Sequence, residues 1–164
     1  MSKLFSFPNP ANDTSARIVA AGVVAMAIVF IITGNGWLLF PLTYGFAARV
    51  ASGPTLSPLG QLSVRGLTPL IKVEHKMVPG PPKRFAQTVG LVFTATASAL
   101  YLADNVGAAR IVIAMLTVAA SLEAFLGFCL GCKMFAILMR LGLIPEEVCA
   151  ECNDISLRLR NNAQ

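Results

Sequence analysis

"FAQTVGLVFTATASALYLADNVGAARIVIAMLTVAASLEAFLGFCLG", residues 85–131, contains two long apolar runs with a turn signal between them. Phe85–Ala103 and Ala108–Gly131 each come close to the roughly 20 apolar residues that a helix needs to cross a bilayer. "ADNVG", Ala103–Gly107, interrupts them with turn-forming residues, so the stretch predicts a helical hairpin. The pattern recurs upstream. "RIVAAGVVAMAIVFIITG", Arg17–Gly34, is another run of spanning length, and "GNG", Gly34–Gly36, is a tight-turn signal. "GWLLFPLTYGFAARVA", Gly36–Ala51, is shorter and contains Pro41. Tilt, local thinning or a re-entrant path accommodates a short segment, and neighbouring helices can satisfy the carbonyl that Pro41 frees.

The expected fold is therefore a single all-α integral membrane bundle of four transmembrane helices in two hairpins. Its spans are 17–34, 36–51, 85–103 and 108–131, with a central loop at 52–84 and a C-terminal tail at 142–164. Composition agrees. Of the 164 residues 55% are hydrophobic and 13% charged, against roughly a quarter charged in an ordinary soluble domain. The prolines and glycines of the central loop exclude a long helix, although "LGQLSVRGL" suits a short interfacial one. No small-x-small site ends the first apolar run, so it reads as an uncleaved anchor.

The net charge of +5 raises the question of nucleic acid. The basic residues flank apolar runs and form no stripe with interleaved aromatics, so they read as topology signals. With four spans, Lys3, Arg17, Arg49, Arg65, Lys72, Lys76, Lys83, Arg84, Lys133, Arg140, Arg158 and Arg160 fall on one side, and Arg110 on the other. The positive-inside rule then puts both termini and the central loop in the cytoplasm, and the chain is expected in the cell's inner (plasma) membrane.

The four cysteines form two Cys-x-x-Cys pairs, Cys129/Cys132 and Cys149/Cys152, near that cytoplasmic face. The overall spacing suits a four-thiolate zinc or iron–sulfur site, and it equally suits a redox dithiol pair or relay. Simple space filling is the plainest alternative. Cytosolic thiols are kept reduced, which disfavours a static disulfide. On a continuous helix Cys129 and Cys132 share a face. "IPEEVCAECNDISLRLR" reads as a second, amphipathic helix, with Gly142 as the break between the two. Two dithiols on such a hairpin make a compact metal tetrahedron only if the helices cross steeply, or if Gly127 and Gly131 release the first pair from helical geometry.

Glu123 lies inside the fourth span, where a carboxylate is costly and marks either a functional site, such as an ion path or a partner cation, or a hydrogen bond within the bundle to Thr or Gln of another helix. Six residues of helix would turn it about 120° away from Cys129. Lys133 either lowers a thiolate pKa or snorkels to the interface. Arg110 anchors the far interface near Asp104, Arg84 sits at the head groups, and His75 reads as a solvated loop histidine. "GLVFTATASA" supplies small residues for close helix packing. No phosphate loop, nucleophile elbow or His-Glu metal helix is present, so no residue pattern fixes an enzymatic activity.

"PPKRFAQTVGLVF" followed by "GFCLGCKMF" resembles the bacterial membrane family catalogued as domain of unknown function 4395, over about Asp13 to Arg140. The matching positions are Pro82, Arg84, Phe85, Ala86, Gln87 and Gly90, then Gly127, Cys129, Gly131 and Cys132. Links between some of its members and rhodanese-like or thioredoxin-like proteins imply such a partner here, and with it thiol redox or sulfur chemistry. In that reading Cys129 and Cys132 are the reactive pair, and Cys149 and Cys152 are a resolving pair or acceptor.

Overall fold

The structure is a computed structural model that describes residues 11–53, 56–63, 77–78 and 80–143. These residues form helices, apart from a two-residue antiparallel bridge between β1 (Ala11–Asn12) and β2 (Met77–Val78). The helices are α1 (Asp13–Thr33), α2 (Leu39–Ser52), α3 (Pro58–Gln61), α4 (Gly80–Leu102), α5 (Val106–Leu126) and α6 (Leu130–Arg140). A single 3-10 turn, Gly36–Leu38, leads into α2.

Three helices are long and apolar enough to cross a membrane: α1, α4 and α5. Each buries no more than a third of its most apolar window inside the protein. Large apolar side chains such as Ile32, Phe40, Ile111, Val118 and Phe125 face outward instead. A water-soluble domain does not expose contiguous apolar surface on this scale, and lipid is the solvent that tolerates it. The fourth expected span corresponds to α2, which has 14 residues and is about 21 Å long at 1.5 Å per residue.

The expected hairpin turns are where the sequence puts them. Asn35 accepts a hydrogen bond from the Trp37 N–H at 3.1 Å, and Asn105 accepts one from the Ala108 N–H at 3.2 Å. Both are N-caps, which satisfy backbone donors left over at a helix start. α1 begins at Asp13, four residues before the apolar run, and places an acidic side chain in its first turn. α4 begins at Gly80, with Pro81 and Pro82 in its first turn, where a missing N–H costs nothing.

The last apolar segment departs most from the sequence reading. α5 ends at Leu126, and Gly127 takes a left-handed conformation at φ +66°. Its N–H and that of Phe128 bond back to Glu123 and Leu122, closing α5 with a Schellman-type end. A new helix, α6, starts three residues later. The segment 108–131 is thus a helix, a sharp joint and the start of another helix. Gly142 (φ +73°) ends α6, as the sequence suggested.

α1 packs mainly on α5, α2 on α4, and α4 on both α5 and α6. Val23, Ala27, Phe30, Leu39, Leu42, Phe46, Ala97, Ala109, Ile113 and Leu116 form the shared core. Asp13, Arg49, Lys83 and Glu123 lie together at one end, and Gly34, Tyr101 and Arg110 at the other.

Candidate functional site

α4 brings Lys83 to the centre of the charged end. Its ammonium donates to Asp13 Oδ1 on α1 at 2.8 Å and to Glu123 Oε1 on α5 at 2.7 Å. The Lys83 side chain is 6% exposed, and the two carboxylates are 16% and 15% exposed. Removing one member of such a buried set leaves an uncompensated charge, so the cluster fastens three helices together at one point. One turn along α4, Gln87 accepts a hydrogen bond from Arg49 Nε of α2 at 2.8 Å. Arg49 is 5% exposed, donates also to Ser57 Oγ at 3.2 Å, and lies 4.5 Å from the centre of the Phe46 ring. Arg84 Nε donates to the Val50 carbonyl at 3.0 Å, which ties the ends of α2 and α4 together and accounts for this residue structurally.

Glycines set how closely the elements approach. A Cβ on Gly131 would stand 2.5 Å from Ala86 Cβ and 2.6 Å from its Cα, so α6 rests directly on the backbone of α4. A Cβ on Gly90 would run into the Phe46 ring. Arg17 on α1 donates to the Phe125 carbonyl at 3.1 Å, and a Cβ on Gly127 would meet its guanidinium at 3.2 Å. A cation here suits the negative end of the α5 dipole. The two sequence motifs, "PPKRFAQ" and "GFCLGC", are therefore packed against each other.

Cys129 sits at the joint and is the N-cap of α6, with Sγ accepting the Cys132 N–H at 3.4 Å. It is not in a helix, so the shared-face geometry expected for Cys129 and Cys132 is replaced by a cap-and-first-turn arrangement. A hydrogen bond from the Cys132 side chain, helped by the backbone N–H, holds the Cys129 thiol below its ordinary range, against burial and the Glu123 carboxylate, which push it up. The same hydrogen bond, together with burial, pushes Cys132 well above that range. Both are half-buried free thiols. A thiol of lowered pKa at a helix N-terminus, with a second thiol of raised pKa three residues on, is an arrangement that can support nucleophilic thiol chemistry.

A cavity of about 260 Å³ runs from this joint into the bundle. Cys129, Glu123, Arg49 and Gln87 contribute its polar lining, and Val23, Phe46, Phe93, Met115 and Leu116 much of its apolar wall. The joint thus brings Glu123 and Cys129 to one cavity, which a continuous helix would have kept on different faces. The carboxylate's partner is Lys83 at 2.7 Å, so of the expected readings the partner cation is the one observed, and the hydrogen bond to Thr or Gln is not. Sequence reasoning counted Lys83 only as a topology charge. The usable signal was an acidic residue late in one span and a basic residue early in the preceding one, both at the same end.

Among the described residues, no group of three or more His, Cys, Asp or Glu side chains is placed to hold a metal ion. His75, Cys149 and Cys152 lie outside the described residues. Lys133 lies 5.6 Å from the centre of the Phe128 ring, at the start of α6. Arg110 stands at the opposite end, where a Cβ on Gly34 would approach its guanidinium to 2.5 Å.

Residues 11–140 match the family described as "Domain of unknown function (DUF4395)". No curated protein and no solved structure matches the chain.

Proposed function

The chain belongs to this family, whose function is unknown, and from that premise we propose that it is a polytopic membrane protein that carries out thiol–disulfide chemistry through Cys129 and Cys132. The observation that supports this most directly is the N-cap position of Cys129, with its sulfur held by the Cys132 N–H at 3.4 Å. In this reading the Cys129 thiolate attacks one sulfur of a substrate disulfide. A Cys129–substrate S–S bond forms, the substrate S–S bond breaks, and one substrate thiolate leaves and takes up a proton. Cys132 then loses its proton and attacks Cys129 Sγ. The Cys129–Cys132 disulfide forms and the second substrate thiol is released. Two electrons pass from the dithiol to the substrate, and a second dithiol must return them. Cys149 and Cys152 are assigned the part of a resolving pair or acceptor within the chain, and the returning dithiol comes from a partner.

Topology forms part of the proposal. If α1, α4 and α5 cross the bilayer, the Asp13–Lys83 contact requires the chain to return between them. α2 and the 3-10 turn before it together extend about 27 Å, enough for that return across a slightly thinned core. Both termini, the thiol pair and twelve of the thirteen Lys and Arg residues then lie on the cytoplasmic side of the inner membrane.

Thiol trapping in membranes, poised at a series of dithiol/disulfide ratios, tests the reading. Cys129 and Cys132 should oxidise together as one two-electron couple, and Cys129→Ser or Cys132→Ser should abolish it. Independent alkylation of both thiols across the whole series would overturn it. Alkylation of Cys129 should persist below the pH at which an ordinary thiol, pKa about 8.5, stops reacting. Cys132→Ala removes the side chain that lowers the Cys129 pKa, so the profile should move to higher pH.

A further inference from the structure

We infer that the cavity beside Cys129 is the binding site for a lipophilic two-electron acceptor with a single-ring, quinone-type head group. This rests on the thiol–disulfide reading above and names an oxidant for the same dithiol. Three observations lead to it. The first is size. At about 260 Å³ the space falls just below the range of roughly 300–1,000 Å³ usual for small-molecule sites, so it takes one ring rather than an extended ligand. The second is the rim. Met115, Leu130 and Met134 line the cavity and are also among the exposed apolar residues of the bundle, Met115 at 57%. The cavity therefore reaches the surface through apolar side chains, which suits a molecule arriving from lipid better than one arriving from water.

The third observation is the polar lining, which is confined to a few groups. Arg49 and Gln87 fix each other by the 2.8 Å bond from Arg49 Nε to Gln87 Oε1. The Gln87 amide N–H groups and the guanidinium N–H groups not already bonded to Gln87 and Ser57 are left as donors, and a ring carbonyl needs donors. Cys129 lines the same cavity. A protein disulfide is too large for this space, whereas a ring with two carbonyl oxygens meets an apolar wall, hydrogen-bond donors and a sulfur nucleophile together.

The electrons balance without a further reactant. The Cys129 thiolate adds to a ring carbon, forming a C–S bond, and the oxyanion that results is stabilised by the Arg49 guanidinium. Cys132, losing its proton, attacks Cys129 Sγ. The S–S bond forms, the C–S bond breaks, and its electron pair stays on the ring. The two thiol protons end on the two ring oxygens, giving the hydroquinone, and the dithiol has become the disulfide.

The experiment uses the full-length reduced protein in nanodiscs, mixed anaerobically with decylubiquinone or a short-chain menaquinone. Quinone absorbance and Cys129–Cys132 disulfide are followed together. The expected result is loss of one quinone per disulfide formed. Ala119→Phe, which fills the cavity, and Gln87→Leu, which removes a donor, should each slow the reaction at least tenfold. Titration of each variant with a water-soluble disulfide provides the control. A wild-type dithiol couple in that titration shows that the variant is folded and that the thiol chemistry stands. With that couple intact, absence of oxidation by either quinone, or undiminished rates in both variants, overturns the inference and leaves the thiol–disulfide reading in place. Failure of the wild-type protein to form the couple with the soluble disulfide overturns both.

Discussion

At the end of the bundle marked by Gly34 and Arg110, the chain turns by short-range hydrogen bonding. Asn35 and Asn105 cap the segments that follow them, and the neighbouring carbonyls accept bonds from nearby residues. At the opposite end, contacts are made between helices far apart in sequence: Lys83 with Asp13 and Glu123, Arg49 with Gln87, and Arg17 with Phe125. The first end decides where each hairpin folds, and the second decides which hairpin faces which. It is the second end that carries the thiols and the cavity. The polar contacts are therefore mainly local at one end and tertiary at the other, and the proposed chemistry lies at the latter.

Stability changes should follow that division. Lys83→Met leaves two carboxylates facing each other and should cost about 3–5 kcal/mol, the range for breaking a buried ion pair. Denaturant titration in detergent should register it. The triple variant Asp13→Asn, Lys83→Met, Glu123→Gln removes all three charges and should recover most of the loss. Gly131→Ala should cost about 1–3 kcal/mol, because the methyl would press into the Ala86 backbone. It should also displace α6 and change the alkylation profile of Cys129. Asn105→Ala, at the other end, should cost about 1 kcal/mol, the usual value of a lost N-cap, and leave that profile unchanged. If Lys83→Met costs no more than Asn105→Ala, the contrast between the two ends fails.

The same division explains what could be read beforehand. Apolar run lengths, the "GNG" and "ADNVG" turns and the gathering of positive charge are local or compositional, and they were legible. The Gly127 joint was legible only as one alternative, in which Gly127 and Gly131 release the first cysteine pair from helical geometry. Its glycine lies in an apolar run, and tertiary contacts, Arg17 on the Phe125 carbonyl and Gly131 on Ala86, accompany the break. The role of Lys83 was hidden for a similar reason, since its partners Asp13 and Glu123 lie on different helices. The paired cysteines were visible as a motif, but not that one caps a helix.

The bond from Arg17 to the Phe125 carbonyl spans 108 residues, and this separation has a consequence for synthesis. Helix α1, made well before the segment around Phe125, must wait for it before the joint that holds Cys129 can be fixed. Contacts of such high sequence separation form late, after the loops between them have closed. The geometry at Cys129 thus arises only once α1 and α5 have met, and a chain whose helices have not yet docked presents an ordinary cysteine at that position.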